Sequence, residues 1–195
     1  MASMNIPNAL TYMRIALIPL IVVIFYLPWV WAGPVSALLF ALAGITDWLD
    51  GYLARALKQE SRFGAFLDPV ADKLMVAAVL VMVTEKGAEG EPVYSIFISV
   101  AAIIIIGREI AISALREWMA EIGQRGKVAV SYIGKVKTTA QMIALTFLLY
   151  ERPLWGIPVY EIGLVALFVA AALTLWSMIN YLRAAIAVDA EMSDD

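Results

Sequence analysis

The sequence predicts an all-α integral membrane protein, a single bundle of six spanning helices within residues 1–195. Three observations carry this expectation. The chain is 63% hydrophobic and 16% charged, with a mean hydropathy of +0.83, whereas a soluble domain carries roughly 25% charged residues. Six apolar runs are each long enough for the hydrocarbon core, which takes ~20 helical residues to cross, and turn signals separate them. The connections also differ in Lys and Arg content from one side to the other, as spanning proteins require.

The runs lie near 9–31, 33–57, 69–85, 94–116, 128–150 and 159–186. The first closes on Pro28 and Gly33-Pro34, and Tyr26, Trp29 and Trp31 at that end read as part of an outer aromatic belt. The second ends at the polar stretch Lys58–Arg62. The third starts near Asp68, with Pro69 suited to the first helical position, and stops at Lys86–Pro92. In the fourth, Arg108 interrupts the apolar run from Ile96 to Ile112. Residues Gln124–Lys127 precede the fifth, and Arg152–Pro158 separate it from the sixth. Tyr150, Trp155 and Tyr160 extend the aromatic belt, and the acidic tail (187–195) is expected to fray.

Orientation follows from the cations. Loop 84–92 holds only Lys86 among three glutamates, and 151–161 holds only Arg152. The opposite side collects Arg55, Lys58, Arg62 and Lys73, then Arg116, Arg125, Lys127, Lys135 and Lys137. That side, with both termini, is expected to face the cytoplasm. The amino-terminal apolar run is too long, and its flank too weakly basic, for a cleavable signal peptide.

With no Cys, disulfides, thiolate nucleophiles and cysteine-ligated zinc are excluded; with no His, the commonest general base and metal ligand is missing. Acid–base or metal chemistry must rest on carboxylates, which favour hard ions such as Mg or Mn.

Four aspartates stand out against this background. Asp47, Asp50, Gly51, Ala54 and Arg55 fall at i, i+3, i+4, i+7 and i+8, one stripe of a helix. Asp68 and Asp72, at i and i+4, share a face of the next helix, and a short polar connection returns that pair against the first. A carboxylate costs ~2.5–3.5 kcal/mol at the centre of a spanning helix, so four such groups ask for cations. Two divalent ions would cancel their charge, and paired metals stabilise both oxygens of a displacement at phosphorus. Gly51 and Ala54 let a ligand approach the backbone, and Arg55 suits a phosphate oxygen. Singly, each feature has a structural explanation: a helix cap at Asp68-Pro69, an ion pair between Asp50 and Arg55, helix packing at Gly51 and Ala54. Together they leave the structural explanation far behind.

The pattern D-x-x-D-G-x-x-A-R-x8-G-x3-D-x3-D across Asp47–Asp72 resembles the signature of the CDP-alcohol phosphotransferases, and every fixed position matches. The resemblance implies a six-span homodimer with a polar cavity open to the cytoplasm of a bacterial inner membrane. It implies two divalent metal ions (Mg or Mn) on Asp47, Asp50, Asp68 and Asp72, with Asp72 also the base that deprotonates the acceptor hydroxyl. Thr11, Gly51, Ala54, Arg55, Ser61 and Gly64 would line the pocket for the CDP-lipid, CDP-diacylglycerol. No nucleic-acid partner is expected.

The acceptor is read from cations elsewhere. Arg108 lies in an apolar run, Arg116 lies two turns on, and Lys135 and Lys137 sit inside the fifth span. Such a group selects an acceptor that itself carries a phosphate. Glycerol 3-phosphate fits, whereas a neutral alcohol such as choline would want an aromatic or acidic site. Asn5–Asn8 with Thr11 and Arg14, Gly107-Arg108-Glu109 with Leu115–Trp118, and Ile133–Gln141 resemble the bacterial members of the family that use glycerol 3-phosphate. Sister enzymes using phosphatidylglycerol or inositol phosphate, an intramembrane prenyltransferase and an ion-coupled transporter remain as alternatives. The Gly-x-x-Ala-Arg insert disfavours the prenyltransferase, and acids gathered at helix ends disfavour the transporter.

Overall fold

The computed structural model describes residues 6–57, 62–88, 92–124 and 132–193. It consists of helices α1 (Ile6–Phe25), α2 (Ala32–Leu57), α3 (Arg62–Ala88), α4 (Pro92–Glu121), α5 (Tyr132–Tyr150) and α6 (Val159–Ser193). No extended strand occurs among the described residues. α1 packs on α2 and α3, α2 on α5, α3 on α4 and α5, and α6 lies against α4 and α5.

The core joins α1–α6 through Ile21, Phe40, Leu80, Ile105, Leu148 and Leu167. A smaller cluster, Ile112, Met119, Tyr181, Ala185 and Val188, ties α4 to α6. Large apolar side chains also point outward, among them Ile103, Val165 and Ile186, while Arg14, Arg108, Lys137 and Gln141 are buried. Helices apolar on all sides with polar groups inside are the pattern of a lipid-facing bundle. Two helices, Pro92–Glu121 and Val159–Val188, are long and apolar enough to cross a membrane by length and composition; Ala9–Phe25 and Ala32–Asp47 are shorter apolar stretches.

Helix ends differ from the expected ones for identifiable reasons. α1 stops at Phe25 rather than near 31, because Pro28 offers no N–H and restrains the residue before it. α3 begins at Arg62 and holds Pro69 within it, so Pro69 is not the first helical residue and Asp68 is not its cap. Gly64, Asp68 and Asp72 thereby share one helix at four-residue intervals. α4 ends on Gly123 (φ 75°), with Gln124 N–H donating to Met119 O (2.8 Å) and Gly123 N–H to Ala120 O (3.2 Å), a closure that suits glycine's left-handed backbone. α6 runs through Ser193 into the acidic tail, where Ala, Glu and Met favour helix.

The aromatic ends of α1/α2 and α5/α6 come together. A cavity of about 350 Å³ there is lined by Tyr26, Trp29, Gly33, Glu85, Glu151 and Arg152, among others, and Tyr26 donates to Glu85. Thr11, Asp47, Asp68 and Asp72 lie in the opposite halves of their helices.

Candidate active site

α1 contributes Thr11 and Arg14, three residues apart and both buried. Thr11 Oγ1 donates to Asp68 Oδ1. Arg14, 1% exposed, reaches two carboxylates with one nitrogen: Nη1 donates to Asp47 Oδ1 at 2.8 Å and to Asp72 Oδ1. The two aspartates are 42% exposed. Thus α2 and α3 bring one acid of each expected pair to the same guanidinium, and α1 anchors the third through a hydroxyl. Helical spacing turns the acids to one face of each helix; the crossing of three helices makes them a cluster.

Asp50, Gly51, Ala54 and Arg55 belong to α2, but their side-chain placements lie outside the described residues, as do Ser61 and the side chain of Lys135. Among the described residues, which do not include the Asp50 side chain, no three acids converge closely enough to hold a metal ion. The donor set nevertheless fits hard divalent ions: carboxylate oxygens, half open to solvent, gathered around a point that already attracts a positive charge. Gly64 is buried on the face of α3 that carries Asp68 and Asp72.

A second polar cluster joins α4, α5 and α6. Arg108 (7% exposed) and Lys137 (2%) are buried, and both donate to the same oxygen, Glu109 Oε1, at 2.8 and 2.9 Å. Arg108 Nη2 also donates to Ser177 Oγ (3.3 Å). Arg116 Nη2 donates to Tyr181 OH (3.2 Å), and the Tyr181 ring lies 5.7 Å from the Arg108 guanidinium and 5.4 Å from that of Arg116, within cation–π range. The structure therefore brings together Arg108, Arg116 and Lys137, three of the four cations the sequence singles out.

Helices α3 and α4, which carry parts of the two clusters, are bonded to each other beside them. Lys73, the residue after Asp72, donates through Nζ to Ser113 Oγ (2.5 Å), and Ser113 Oγ donates to the carbonyl of Glu109 (2.5 Å). A reactant held on the acids and another held on the cations would lie on adjoining faces of α3 and α4.

In the sequence Arg14 and Glu109 stand only within the family-like motifs and Lys73 only among the cations of one side, while Ser177 and Tyr181 carry no expectation. A signal existed for some: Glu109 is an acid inside an apolar run, and Thr174, Ser177 and Tyr181 make a polar stripe at i, i+3 and i+7 on the last helix.

Residues 4–176 match the protein family described as CDP-alcohol phosphatidyltransferase. The chain is 58% identical over 181 residues to a protein of Salmonella choleraesuis named CDP-diacylglycerol--glycerol-3-phosphate 3-phosphatidyltransferase, covering 93% of this chain and 94% of that one. Proteins of the same name from Shigella flexneri and Pectobacterium atrosepticum are 55% and 58% identical, with the same shares of each chain covered.

Proposed function

The chain belongs to the CDP-alcohol phosphatidyltransferase family, and from that premise we propose that it transfers the phosphatidyl group of CDP-diacylglycerol to glycerol 3-phosphate, giving phosphatidylglycerophosphate and CMP. The relatives' shared name supports donor and acceptor alike. The observation that carries the reading is a carboxylate cluster and a largely buried cation cluster on neighbouring helices, with Lys73, next to Asp72, bonded to Ser113 and Ser113 to the main-chain carbonyl of Glu109. One side suits an activated diphosphate and the other a phosphate-bearing alcohol.

The chain's own groups divide the work. Thr11, Gly51, Ala54, Arg55, Ser61 and Gly64 cradle the cytidine diphosphate, with the acyl chains in the bilayer. Arg108, Arg116, Lys135 and Lys137 grip the acceptor phosphate and point its 1-hydroxyl at the donor, so positioning supplies much of the acceleration. Asp72 takes the hydroxyl proton as the acceptor oxygen bonds to the phosphorus that carries diacylglycerol. The bond from that phosphorus to the CMP oxygen breaks, and CMP leaves with the electron pair, its charge met by Arg55. Two divalent ions (Mg or Mn), held by Asp47, Asp50, Asp68 and Asp72, would screen the donor's negative charge when bound. Arg14 and Thr11 hold these carboxylates in register. The chain works as one membrane domain of six spans in a bacterial inner membrane, as a homodimer, with site and termini on the cytoplasmic side.

Purified protein supplied with labelled CDP-diacylglycerol and, separately, glycerol 3-phosphate, phosphatidylglycerol and inositol phosphate tests this. Phosphatidylglycerophosphate with equimolar CMP is expected from the first acceptor alone. A lipid product only from another acceptor would overturn the assignment.

A further inference from the structure

We infer that Glu109 and Tyr181 are positioning residues that set the acceptor-phosphate pocket, and thereby the enzyme's preference for a phosphomonoester acceptor. The inference rests on the reading above that Arg108, Arg116 and Lys137 bind that phosphate.

Two buried cations, Arg108 and Lys137, and a half-buried third, Arg116, lie in one region with a single carboxylate, Glu109, among the described residues that bond to them. Two positive charges are left over. A phosphomonoester carries about −1.5 to −2 near neutral pH, so the cluster without ligand lacks the charge such a group brings. Arg108 Nε and Arg116 Nε are buried with no hydrogen-bond partner among the described residues, and buried donors of this kind call for an acceptor. A purely structural network would satisfy its own donors. This one leaves two N–H groups and an excess of positive charge for something else.

Glu109 and Tyr181 do not themselves suit an anion. They hold the groups that do. One oxygen of Glu109 fixes the α4 guanidinium relative to the α5 ammonium, setting the separation between two long, otherwise mobile side chains. The Tyr181 ring is within cation–π distance of the guanidinium groups of both Arg108 and Arg116, which are two helical turns apart on α4, and its hydroxyl accepts a hydrogen bond from the latter. An aromatic ring attracts a guanidinium without consuming its N–H donors, which leaves donors for a third partner. Without Glu109, two buried cations repel each other and lose their common anchor; without the ring, the arginine pair loses a group that both of them contact.

Steady-state kinetics of the full-length protein in mixed micelles, varying glycerol 3-phosphate and CDP-diacylglycerol separately, test this. Glu109→Gln is expected to raise the acceptor KM at least about tenfold, as loss of charge-assisted bonds does, while kcat and the donor KM change little. Tyr181→Leu is expected to do the same, and Tyr181→Phe, which keeps the ring, to recover most of the loss. An acceptor KM unchanged or lowered in Glu109→Gln would overturn the inference, as would equal rises in both KM values. The Tyr181 pair decides the matter if Glu109→Gln does not fold: equal acceptor KM values for Leu and Phe would sink it. Arg108→Ala separates the two levels. If Arg108→Ala leaves the acceptor KM unmoved, the underlying site reading fails; if it raises that KM and Glu109→Gln does not, only the positioning role fails.

Discussion

Arg14→Met replaces a guanidinium with an unbranched apolar side chain and leaves Asp47 and Asp72 without their shared cation. Arg14 is 1% exposed and each carboxylate 42% exposed, so the pair lies between two regimes. Removing one member of a buried pair costs about 3–5 kcal/mol, whereas exposed pairs contribute about 0–1 kcal/mol. A buried cation facing half-exposed acids therefore points to a cost of about 2–3 kcal/mol. At about 2–4 °C per kcal/mol for a chain of this size, Tm in detergent with a chelator should fall by roughly 5–10 °C. Divalent ions bring positive charge to the same carboxylates, so Mg should stabilise Arg14→Met more than the parent protein. Arg14→Lys, which keeps the charge but not the fork, should fall between them. Thermal unfolding with and without Mg reads all three. Equal Tm values for parent and Arg14→Met in chelator would refute the reasoning, as would an identical Mg response.

The remaining predictions concern chemistry and packing. Asp72→Asn should lower turnover by about 10²–10⁴-fold, the usual weight of a positioned general base, with CDP-diacylglycerol still bound in an equilibrium assay; near-normal turnover would remove Asp72 as the base. Exhaustive chelation should abolish CMP release, and Mg or Mn should restore it; full activity in chelator would overturn the proposed metal dependence. Gly33→Ala should destabilise the helix pair by about 1–3 kcal/mol through overpacking, because its Cβ would sit 2.7 Å from the Leu149 carbonyl oxygen, a backbone atom that cannot swing aside. An unchanged Tm would show that α2 and α5 move apart at no cost.

Much of the site is legible in the sequence because helices convert spacing into direction. Asp68 and Asp72 at i, i+4, and Asp47 with Asp50 at i, i+3, had to share faces once helical. Arg108 was conspicuous because a cation in an apolar run needs a reason. The start of α3 was less legible: Pro69 looks like a first helical residue, yet the helix begins at Arg62, since a proline in the second turn removes one hydrogen bond without forbidding the turns before it. Polar partners such as Glu109, Ser177 and Tyr181 leave a mark in the sequence, but which cation each of them meets does not. Arg14 and Asp72 are 58 residues apart, and Arg116 and Tyr181 are 65 apart.

The amino-acid sequence alone determined an all-helical, apolar chain with acids and cations at set intervals, because periodicity and hydropathy are local properties that any helix of that sequence must express. Tertiary structure decided which of those groups meet: one Arg14 nitrogen on two aspartates, one Glu109 oxygen on an arginine and a lysine, one Tyr181 ring near two guanidinium groups. Such meetings depend on how helices cross and rotate against one another, and that is fixed by the packing of the whole bundle rather than by any single stretch of it.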